Sequence, residues 1–140
     1  MRVIPASEIM TTNVVSVRDD ASLTNIDWEM ALAEIRHVPV IDNQGLVVGI
    51  VSDRDLLRTL NRADRARVPV SAIMSLTPGS VHPDTPAREA LELMLERKIH
   101  AVPVVDDRGK LLGIITATDF RELTFRALRG LPIDGPRAAA

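Results

Sequence analysis

The chain has no cysteine, no long hydrophobic run and no large excess of one charge among its 140 residues. Because cysteine is absent, disulfide bonds, thiolate chemistry and cysteine zinc sites are excluded. No apolar stretch approaches the roughly 18 residues that a membrane span needs, so we expect no membrane insertion. The sequence also begins without a charged and then apolar leader, and we therefore expect a cytoplasmic protein.

Charge and histidine content argue against binding to duplex nucleic acid and against a metal site. The 17 basic and 19 acidic residues give a formal net charge of −2 and are mixed along the chain. Such a pattern is typical of a solvated surface, whereas binding to duplex nucleic acid needs a basic stripe. The histidines at positions 37, 82 and 100 lack metal-ligand spacing, so no metal site is predicted.

An enzymatic interpretation finds little support in the sequence. There is no nucleophile beside an evident base and no complete glycine loop of the Walker or Rossmann kind. Asp53 and Asp55 are two residues apart in a predicted helix, so their side chains diverge and cannot act as a pair. We therefore expect a protein that is not an enzyme, with no catalytic residue and no required cofactor.

The clearest pattern present is a duplication with a constant offset of 64 residues and no gap. The segment Val38-Pro39-Val40-Ile41-Asp42 returns as Val102-Pro103-Val104-Val105-Asp106. Chance would not align a proline, two glycines and two aspartates in one unbroken register. The chain therefore holds two copies of one structural unit, and any site should occur as a related pair. The same offset relates Ser7 to Ser71, Met10 to Met74, Asp20 to Asp84, Met30 to Met94, Gly45 to Gly109, Gly49 to Gly113 and Asp55 to Asp119.

Each copy is predicted to run strand, helix, strand, strand, helix, with continuously apolar strands covered on both faces. In the first copy we expect strands over 14–17, 38–41 and 46–51, a helix over 23–35 capped within 20–22, and a helix from Ser52 to residue 60. In the second copy we expect strands over 80–81, 101–105 and 111–115, a helix opened by Asp84-Thr85-Pro86, and a helix over 117–129. The predicted organisation is repeat 1 over 7–60, a linker over 61–70, repeat 2 over 71–129 and a disordered tail over 130–140.

The candidate chemistry lies where the third strand of each copy runs into a helix. Ser52 is followed three residues later by Asp55, and Thr116 in the same way by Asp119. A hydroxyl group and unpaired N–H groups at a helix N-terminus suit a phosphate. An aspartate one turn further can accept two hydrogen bonds from a vicinal diol such as ribose. The pattern therefore fits a nucleotide.

The same spacing has a purely structural explanation. Ser or Thr followed three residues later by an acidic residue is also a capping box, which needs no ligand. The glycine three residues before each hydroxyl, Gly49 and Gly113, favours the ligand, because a small residue lets a planar group approach the backbone. Both interpretations stay open on the sequence.

With these motifs in place, the sequence resembles a tandem pair of cystathionine-β-synthase-type (CBS) domains. The resemblance covers residues 7–125 and rests on the duplicated Pro-Val strand, both glycines and the Ser/Thr-x-x-Asp ending. It implies an α/β (α+β) fold in which two pseudosymmetric β-α-β-β-α repeats pack into one module. It further implies a regulatory module that binds AMP, ADP, ATP, S-adenosylmethionine or an NADH-like compound.

The resemblance also implies a crossed arrangement, in which each of two clefts draws on both copies. In the first cleft, Ser52 and Asp55 would contact phosphate and ribose, and Ile50 would form an apolar wall. Gly79 and Ile99 would contact adenine, and His100 would lie near the phosphates. In the second cleft, Thr116 and Asp119 would form the hydroxyl-aspartate pair, and Ile114 would form its wall. Val15 and Ile35 would lie around the base, and Arg36 and His37 would lie toward the phosphates.

The resemblance implies two further site residues, which occupy a position beside the aspartates where the two copies differ. Arg54 of the first copy stands where the second has Thr118. Polyphosphate binding would favour the cleft that gathers more guanidinium. The alternative is that Arg36, His37 and His100 only complement helix C-termini, and that Arg54 is simply solvated.

Three residues of the predicted helices carry structural expectations. Met30 and Met94 are expected to serve in packing. Trp28, the only tryptophan, stands opposite Glu92 of the other copy and is expected at an interface. Asp27 replaces Leu91, an apolar position of the second copy, which leaves the register of the first helix open by about one residue.

The resemblance implies a homodimer formed through the helices, with an attached or separate enzyme, channel or transporter as the regulated partner. Two alternatives from other classes remain. One is a ligand-independent interaction scaffold in which the Ser/Thr-x-x-Asp motifs are only caps. The other is a nucleic-acid binder, which the mixed charge opposes.

Overall fold

The computed structural model describes residues 2–76 and 79–132, which form two compact units. The first unit comprises residues 15–76. The second comprises residues 2–14 together with 79–132. Each unit holds the hairpin of one copy and both helices of that copy, so the predicted mixed α and β class is confirmed.

The first unit contains a four-stranded sheet in the order β1-β2-β3-β4, in which β1 is parallel to β2 and the other pairs are antiparallel. Its elements are β1 (Val17–Arg18), α1 (Leu23–Ala33), β2 (His37–Ile41), β3 (Val47–Ser52), α2 (Asp53–Leu57), a 3-10 helix over Val70–Ala72, and β4 (Ser75–Leu76).

The second unit follows the same plan with shorter pairings at its sheet edges. Its elements are a 3-10 helix over Ala6–Glu8, α3 (Ala87–Arg97), β5 (Ala101–Val105), β6 (Leu111–Thr116) and α4 (Ala117–Leu128). The strands β5 and β6 form an antiparallel hairpin. Single bridges from Val81 to Val104 and from Thr11 to Ile114 stand where the first unit has β1 and β4.

The hairpin turns show why the two copies keep their glycines. Gly45 has φ of +82° and Gly109 has φ of +85°, a conformation that residues with a Cβ rarely adopt. Asp42 Oδ1 accepts the Gln44 and Leu46 N–H groups at 2.8 and 3.0 Å, which closes the first turn. The predicted turns with positive φ at glycine are confirmed.

Each unit includes a short segment from the range predicted for the other repeat. Residues 2–14 lie in the second unit, where Thr11 and Ile114 exchange two backbone hydrogen bonds of 2.9 and 3.0 Å. In the first unit, Ser75 of β4 pairs with Ile50 of β3. The same 64-residue offset relates the two pairings. The compact units in space therefore divide the chain differently from the repeats in sequence.

Both units are built on aliphatic cores. The central residues of β2, Val38, Pro39 and Val40, are fully buried, as expected for a strand covered on both faces. The predicted packing of Met30 and Met94 is confirmed, because they lie in the two cores at 7% and 5% exposure. The rest of the first core is Val17, Leu23, Ile26, Val51, Leu56, Val68 and Val70; that of the second is Ala6, Ile9, Val81, Ala87, Ala90, Val102, Val104 and Ile115.

Several predicted boundaries differ from the structure. The expected strand over 80–81 is only a single bridge, and β1 begins at Val17 rather than at residue 14. Pro86 is the N-cap of α3, not an early helical residue, because its ψ of 135° is extended. Helix α1 ends at Ala33 rather than at residue 35, because Glu34 adopts the left-handed conformation with φ of 54°. Helix α2 ends at Leu57 rather than at residue 60. Lys98 closes α3 in the same conformation, with φ of 55°.

Asp27 is explained by a contact with the segment that follows α2. Its Oδ2 lies 2.6 Å from Nη2 of Arg65, whose Nε donates to Thr59 Oγ1 at 3.2 Å. The register of α1 is not displaced, because α1 and α3 begin at Leu23 and Ala87, which the repeat offset relates. The ion pair joins the arginine-rich segment after α2 to the surface of α1.

Part of the segment predicted as a linker packs in the first unit. Val68 and Val70 are buried at 8% and 0% exposure, and the Val68 carbonyl accepts the Leu23 N–H at 3.1 Å. Of the predicted tail, Arg126 Nε donates to the Pro132 carbonyl at 2.7 Å. Residues 133–140 lie outside the described part of the chain.

Candidate functional site

The first hydroxyl-aspartate motif lies at the junction of β3 and α2. The Ser52 N–H donates to Oδ2 of Asp55 at 2.8 Å, and the Asp55 N–H donates to Ser52 Oγ at 3.2 Å. This reciprocal pair is a capping box. The other carboxylate oxygen, Oδ1, lies 3.8 Å from Nη1 of Arg58. The capping contact therefore uses only one of the two oxygens.

The second motif repeats this arrangement at the junction of β6 and α4. The Thr116 N–H donates to Oδ2 of Asp119 at 2.7 Å, and the Thr116 hydroxyl donates to the same oxygen at 3.3 Å. Asp119 is only 5% exposed. Its carboxylate is held in place by two donors, so its position is fixed before any ligand arrives.

The two motifs differ in the helix behind them. Helix α4 has 12 residues, whereas α2 has only five. A longer helix presents a more complete dipole at its N-terminus, so the Thr116 motif lies at the stronger helix dipole of the two. The first motif has Arg54 and Arg58 beside it instead, and their exposed guanidinium groups supply positive charge.

The space beside the strand glycines is filled by the chain itself. A Cβ at Gly49 would lie 2.7 Å from Met74 Sδ, and one at Gly113 would lie 2.8 Å from Met10 Sδ and 2.9 Å from the Thr11 carbonyl oxygen. The expectation that these glycines admit a planar ligand is wrong. They are needed because a neighbouring segment of the same unit crosses the strand there.

The remaining predicted residues cluster by unit. In the first unit His37 pairs with Ser52 across the hairpin, and the Arg36 carbonyl accepts the N–H of Asp53 at 2.9 Å. In the second unit the His100 carbonyl accepts the Ala117 N–H at 3.0 Å in the equivalent contact. The residues before each hairpin therefore lie beside the hydroxyl-aspartate motif of the same unit.

The exposure of these side chains separates ligand-accessible groups from walls. Exposed are Arg36, Arg54, His100 and Thr118; intermediate are Val15, Ile35, His37, Ile50, Ser52, Asp55, Gly79, Ile99 and Thr116; buried are Ile114 and Asp119. Each unit by itself brings together the hydroxyl-aspartate pair, its strand isoleucine and the residues before the hairpin. The crossed grouping of these residues stays a prediction.

Sequence reasoning did not include the crossing segments among the site residues. Met10 and Thr11 lie against Gly113, three residues before Thr116, and Met74 and Ser75 lie against Gly49. The duplication gave a signal for these segments, because the 64-residue offset that relates Gly49 to Gly113 also relates Met10 to Met74.

A groove of the second unit has the wrong charge for a phosphate. It measures about 440 Å³ and includes His82 together with Glu89, Glu92 and Glu96 of α3. His82 Nε2 lies 3.0 Å from Asp107 Oδ1. The three carboxylates of α3 disfavour an anionic ligand in this groove.

Two tests for other kinds of site concern the described residues. Over residues 2–76 and 79–132, no group of three or more histidine, aspartate and glutamate side chains is arranged to hold a metal ion. Within the same ranges, no helix has both the length and the apolar character to cross a bilayer.

Comparison with known sequences identifies a family model, a relative of similar length and a relative that is much longer than this chain. The CBS domain family model matches residues 6–62 and 70–125. A CBS domain-containing protein of Dictyostelium discoideum is 28% identical over 136 residues, covering 89% of this chain and 94% of that protein. Inosine-5'-monophosphate dehydrogenase of Mycobacterium tuberculosis is 35% identical over 112 residues, covering 79% of this chain but only 20% of the dehydrogenase.

Comparison with solved structures gives the same fold. The CBS domain pair of protein MJ0100, in complex with 5'-methylthioadenosine and S-adenosyl-L-methionine, superposes with a TM-score of 0.82 at 24% identity, covering 90% of this chain and 99% of that one. CBSX2 in complex with AMP gives 0.76 at 29% identity over 90% and 99% of the two chains. A CBS domain protein of Pyrobaculum aerophilum complexed with AMP gives 0.76 at 26% identity over 83% and 89%.

Proposed function

The chain belongs to the CBS domain family as a tandem pair, and on that premise we propose that it binds an adenosine-containing ligand and regulates another protein. The observation that carries this proposal is the pair of pre-positioned aspartates, Asp55 and Asp119, each behind a hydroxyl residue at a helix N-terminus. Two relatives of similar fold, at 29% and 26% identity, are complexed with AMP.

The proposed division of labour follows the chemistry of each group. The hydroxyls of Ser52 and Thr116 and the first N–H groups of α2 and α4 bind phosphate, as helix N-termini do. Asp55 and Asp119 accept hydrogen bonds from the ribose diol. The other proposed contacts are apolar walls at Ile50 and Ile114, base contacts at Val15, Ile35, Gly79 and Ile99, and phosphate-side contacts at Arg36, His37, Arg54, His100 and Thr118.

We propose the adenine nucleotides AMP, ADP and ATP as the first ligands to test, followed by S-adenosylmethionine and NADH. A monophosphate needs one anion site, which a hydroxyl and a helix N-terminus provide. Longer phosphate chains need the exposed guanidinium groups of Arg36 and Arg54 as well.

Ligand binding is proposed to act by shifting the population of two states of the chain. A ligand can move such an equilibrium only by its difference in affinity for the two states. The altered population would be detected by an enzyme or transporter that contacts the chain. The matched part of the dehydrogenase relatives is one fifth of their length, which is consistent with a regulatory part of a larger protein.

We further propose that the chain forms a homodimer through its helices. Large apolar side chains are exposed on all four: Trp28 and Leu32 on α1, Leu57 on α2, Leu95 on α3, and Phe125 and Leu128 on α4. Exposed apolar groups of this size are typical of surfaces that contact a partner.

One observation favours a second function, a ligand-independent scaffold. Both aspartates already accept the N–H group of their N-cap residue, so the motifs have a structural use without any ligand. The two functions are compatible with the same structure, since the bond to the N-cap residue uses one oxygen of each carboxylate.

Isothermal titration calorimetry on protein unfolded, freed of nucleotide and refolded tests the proposal. The ligands are AMP, ADP, ATP, S-adenosylmethionine and NADH, with GMP and 2'-deoxy-AMP as controls. We expect at least one ribose-containing adenosine compound to bind with micromolar to millimolar affinity. The deoxy control should bind about tenfold to a hundredfold more weakly, because it lacks one of the two hydroxyls that a carboxylate accepts.

Two results would contradict the proposal. The first is no heat of binding from any adenosine compound at millimolar concentration while circular dichroism reports the folded protein. The second is equal affinity for AMP and its 2'-deoxy analogue, which would leave the aspartates without a ligand contact and favour the scaffold.

A further inference from the structure

The two hydroxyl-aspartate motifs differ at the residue three positions after each aspartate. Arg58 occupies that position in the first copy, and Glu122 occupies it in the second. Arg58 follows the last residue of α2 with helical φ and ψ of −66° and −13°, and Glu122 lies within α4. Residues three apart on a helix are neighbours on one face. The charge beside the aspartate is therefore opposite in the two units.

In the first unit, Arg58 lies beside the carboxylate oxygen that the cap does not use. Asp55 Oδ2 accepts the Ser52 N–H, whereas Asp55 Oδ1 lies 3.8 Å from Nη1 of Arg58. The side chain of Asp55 is 16% exposed and that of Arg58 is 79% exposed. A group hydrogen-bonded to Oδ1 would therefore lie within reach of a guanidinium that is open to solvent.

This neighbour changes which ribose the aspartate can accept. A ribose whose diol donates to Asp55 places its 2' and 3' oxygens at hydrogen-bond distance from the carboxylate. A phosphate on either oxygen would stand close to that carboxylate, and the two anions repel unless a cation lies beside them. The Arg58 guanidinium is such a cation, and its planar fork suits a phosphate. The hydroxyl that carries no phosphate can still donate to Asp55.

In the second unit, the same position carries the opposite charge. Glu122 adds a second carboxylate on the face of α4 that holds Asp119, and two acids disfavour a ribose phosphate. Arg121 is two residues from Asp119, so the two side chains diverge. Its guanidinium donates instead to Thr118 Oγ1 at 3.0 Å. This arrangement favours a ribose with both hydroxyls free.

The next arginine after Arg58 is engaged elsewhere. Arg62 donates from Nε and Nη2 to the two carboxylate oxygens of Asp64, both at 3.0 Å. It carries the same charge as Arg58 and lies in the same segment, but it is held by its own carboxylate. Arg62 therefore serves as a matched control for Arg58.

We propose that the first motif binds an adenosine ligand that carries a phosphate on the 2' or 3' oxygen of its ribose, and that Arg58 binds this phosphate. The second motif is restricted to ligands with both ribose hydroxyls free. The inference rests on the proposed function and names the ligand class of one of its two motifs. The chemistry parallels that of dinucleotide sites, in which an acidic residue binds the ribose 2'-hydroxyl and a nearby arginine accommodates a 2'-phosphate.

An NMR titration tests the assignment, because the amide signals of Asp55 and Asp119 report the two motifs separately. The ligands are adenosine 2',5'-bisphosphate, adenosine 3',5'-bisphosphate and ADP. All three carry two phosphate groups and differ in where the second one is attached. At Asp55 we expect one of the bisphosphates to bind about tenfold more tightly than ADP. At Asp119 we expect ADP to bind more tightly than both.

Charge reversal identifies the residue responsible. Arg58→Glu should lower the ratio of bisphosphate to ADP affinity at Asp55 by about tenfold or more, because it replaces an attraction by a repulsion. Glu122→Arg should raise the same ratio at Asp119. Arg62→Glu makes the same change of charge as Arg58→Glu and should leave the ratio at Asp55 unchanged.

The results separate this inference from the proposed function. The inference is overturned if ADP binds at Asp55 as tightly as both bisphosphates, or if Arg58→Glu and Arg62→Glu lower the ratio equally. In either case the binding of AMP still supports the proposed function. If no adenosine compound shifts either amide signal, the proposed function fails and this inference fails with it.

Discussion

Single aspartates organise the turns and helix starts of both copies. In the second hairpin, Asp106 Oδ1 accepts the N–H groups of Arg108 and Lys110, both at 2.9 Å. The hydrogen bond from Lys110, followed by the one from Arg108, holds the pKa of the Asp106 carboxyl below its usual range. A carboxylate that receives two donors is more stable charged than protonated.

We predict that the contribution of Asp106 to stability depends on pH in one direction. Since its pKa is lower in the folded chain, the contribution is complete above the unfolded pKa of about 3.9 and is lost as the pH falls through the folded value. Melting curves of wild type and Asp106→Ala should therefore differ most above pH 5 and converge in acid. Asp106→Asn, which keeps an uncharged acceptor, is the control, and a wild-type advantage over Asp106→Ala that grows on acidification would contradict the explanation.

Residue patterns predicted the two capping aspartates but not the use of the strand glycines. Ser52 and Asp55 are three residues apart, and local spacing alone fixes such a contact. The atoms that fill the space beside Gly49 belong to Met74 and Ser75, far along the chain. A rule about local spacing cannot identify which distant segment crosses a strand.

At the scale of elements, the sequence pattern predicted the type and order of the helices and strands, but not their exact ends. Helices α1 and α3 and both hairpins lie where apolar periodicity and turn residues indicated. The two-residue β4 was not predicted, because so short a strand exists only through its pairing with β3. The early end of α1 was missed because Glu34, not glycine, adopts the left-handed conformation.

The crossing segments predict a clear effect of strand glycines on stability. Gly113→Ala would place a methyl group 2.9 Å from the Thr11 carbonyl oxygen, which the backbone can relieve only by moving. We expect a loss of about 1–3 kcal/mol in the free energy of unfolding, measured by urea titration. Lys110→Ala, exposed just before β6, should change it by less than about 0.5 kcal/mol. Equal stability of Gly113→Ala and wild type would show that residues 10–11 do not pack there.

At the scale of the whole molecule, the duplication gives two copies of the hydroxyl-aspartate motif, and the two copies differ. The first motif has arginines beside a short helix, and the second has Thr118 beside a long one. We therefore expect two ligand affinities rather than one. A repeat in the sequence predicts that sites come in pairs, but their inequality depends on the residues at which the copies differ.

The central claim is that Asp55 and Asp119 each serve both as a cap and as a ligand contact. Asparagine separates the two uses, because its one oxygen can still accept the N-cap N–H while its amide replaces the second carboxylate oxygen by a donor. The control is therefore built into the substitution, which should leave the melting temperature close to that of wild type.

Calorimetric titration of Asp55→Asn and Asp119→Asn with AMP, or with whichever adenosine compound binds wild type most tightly, is the most direct test. The account predicts that each variant stays folded and loses one binding event, or weakens it about tenfold to a hundredfold. Wild-type affinity and stoichiometry in both folded variants would contradict it and leave the two aspartates as caps alone.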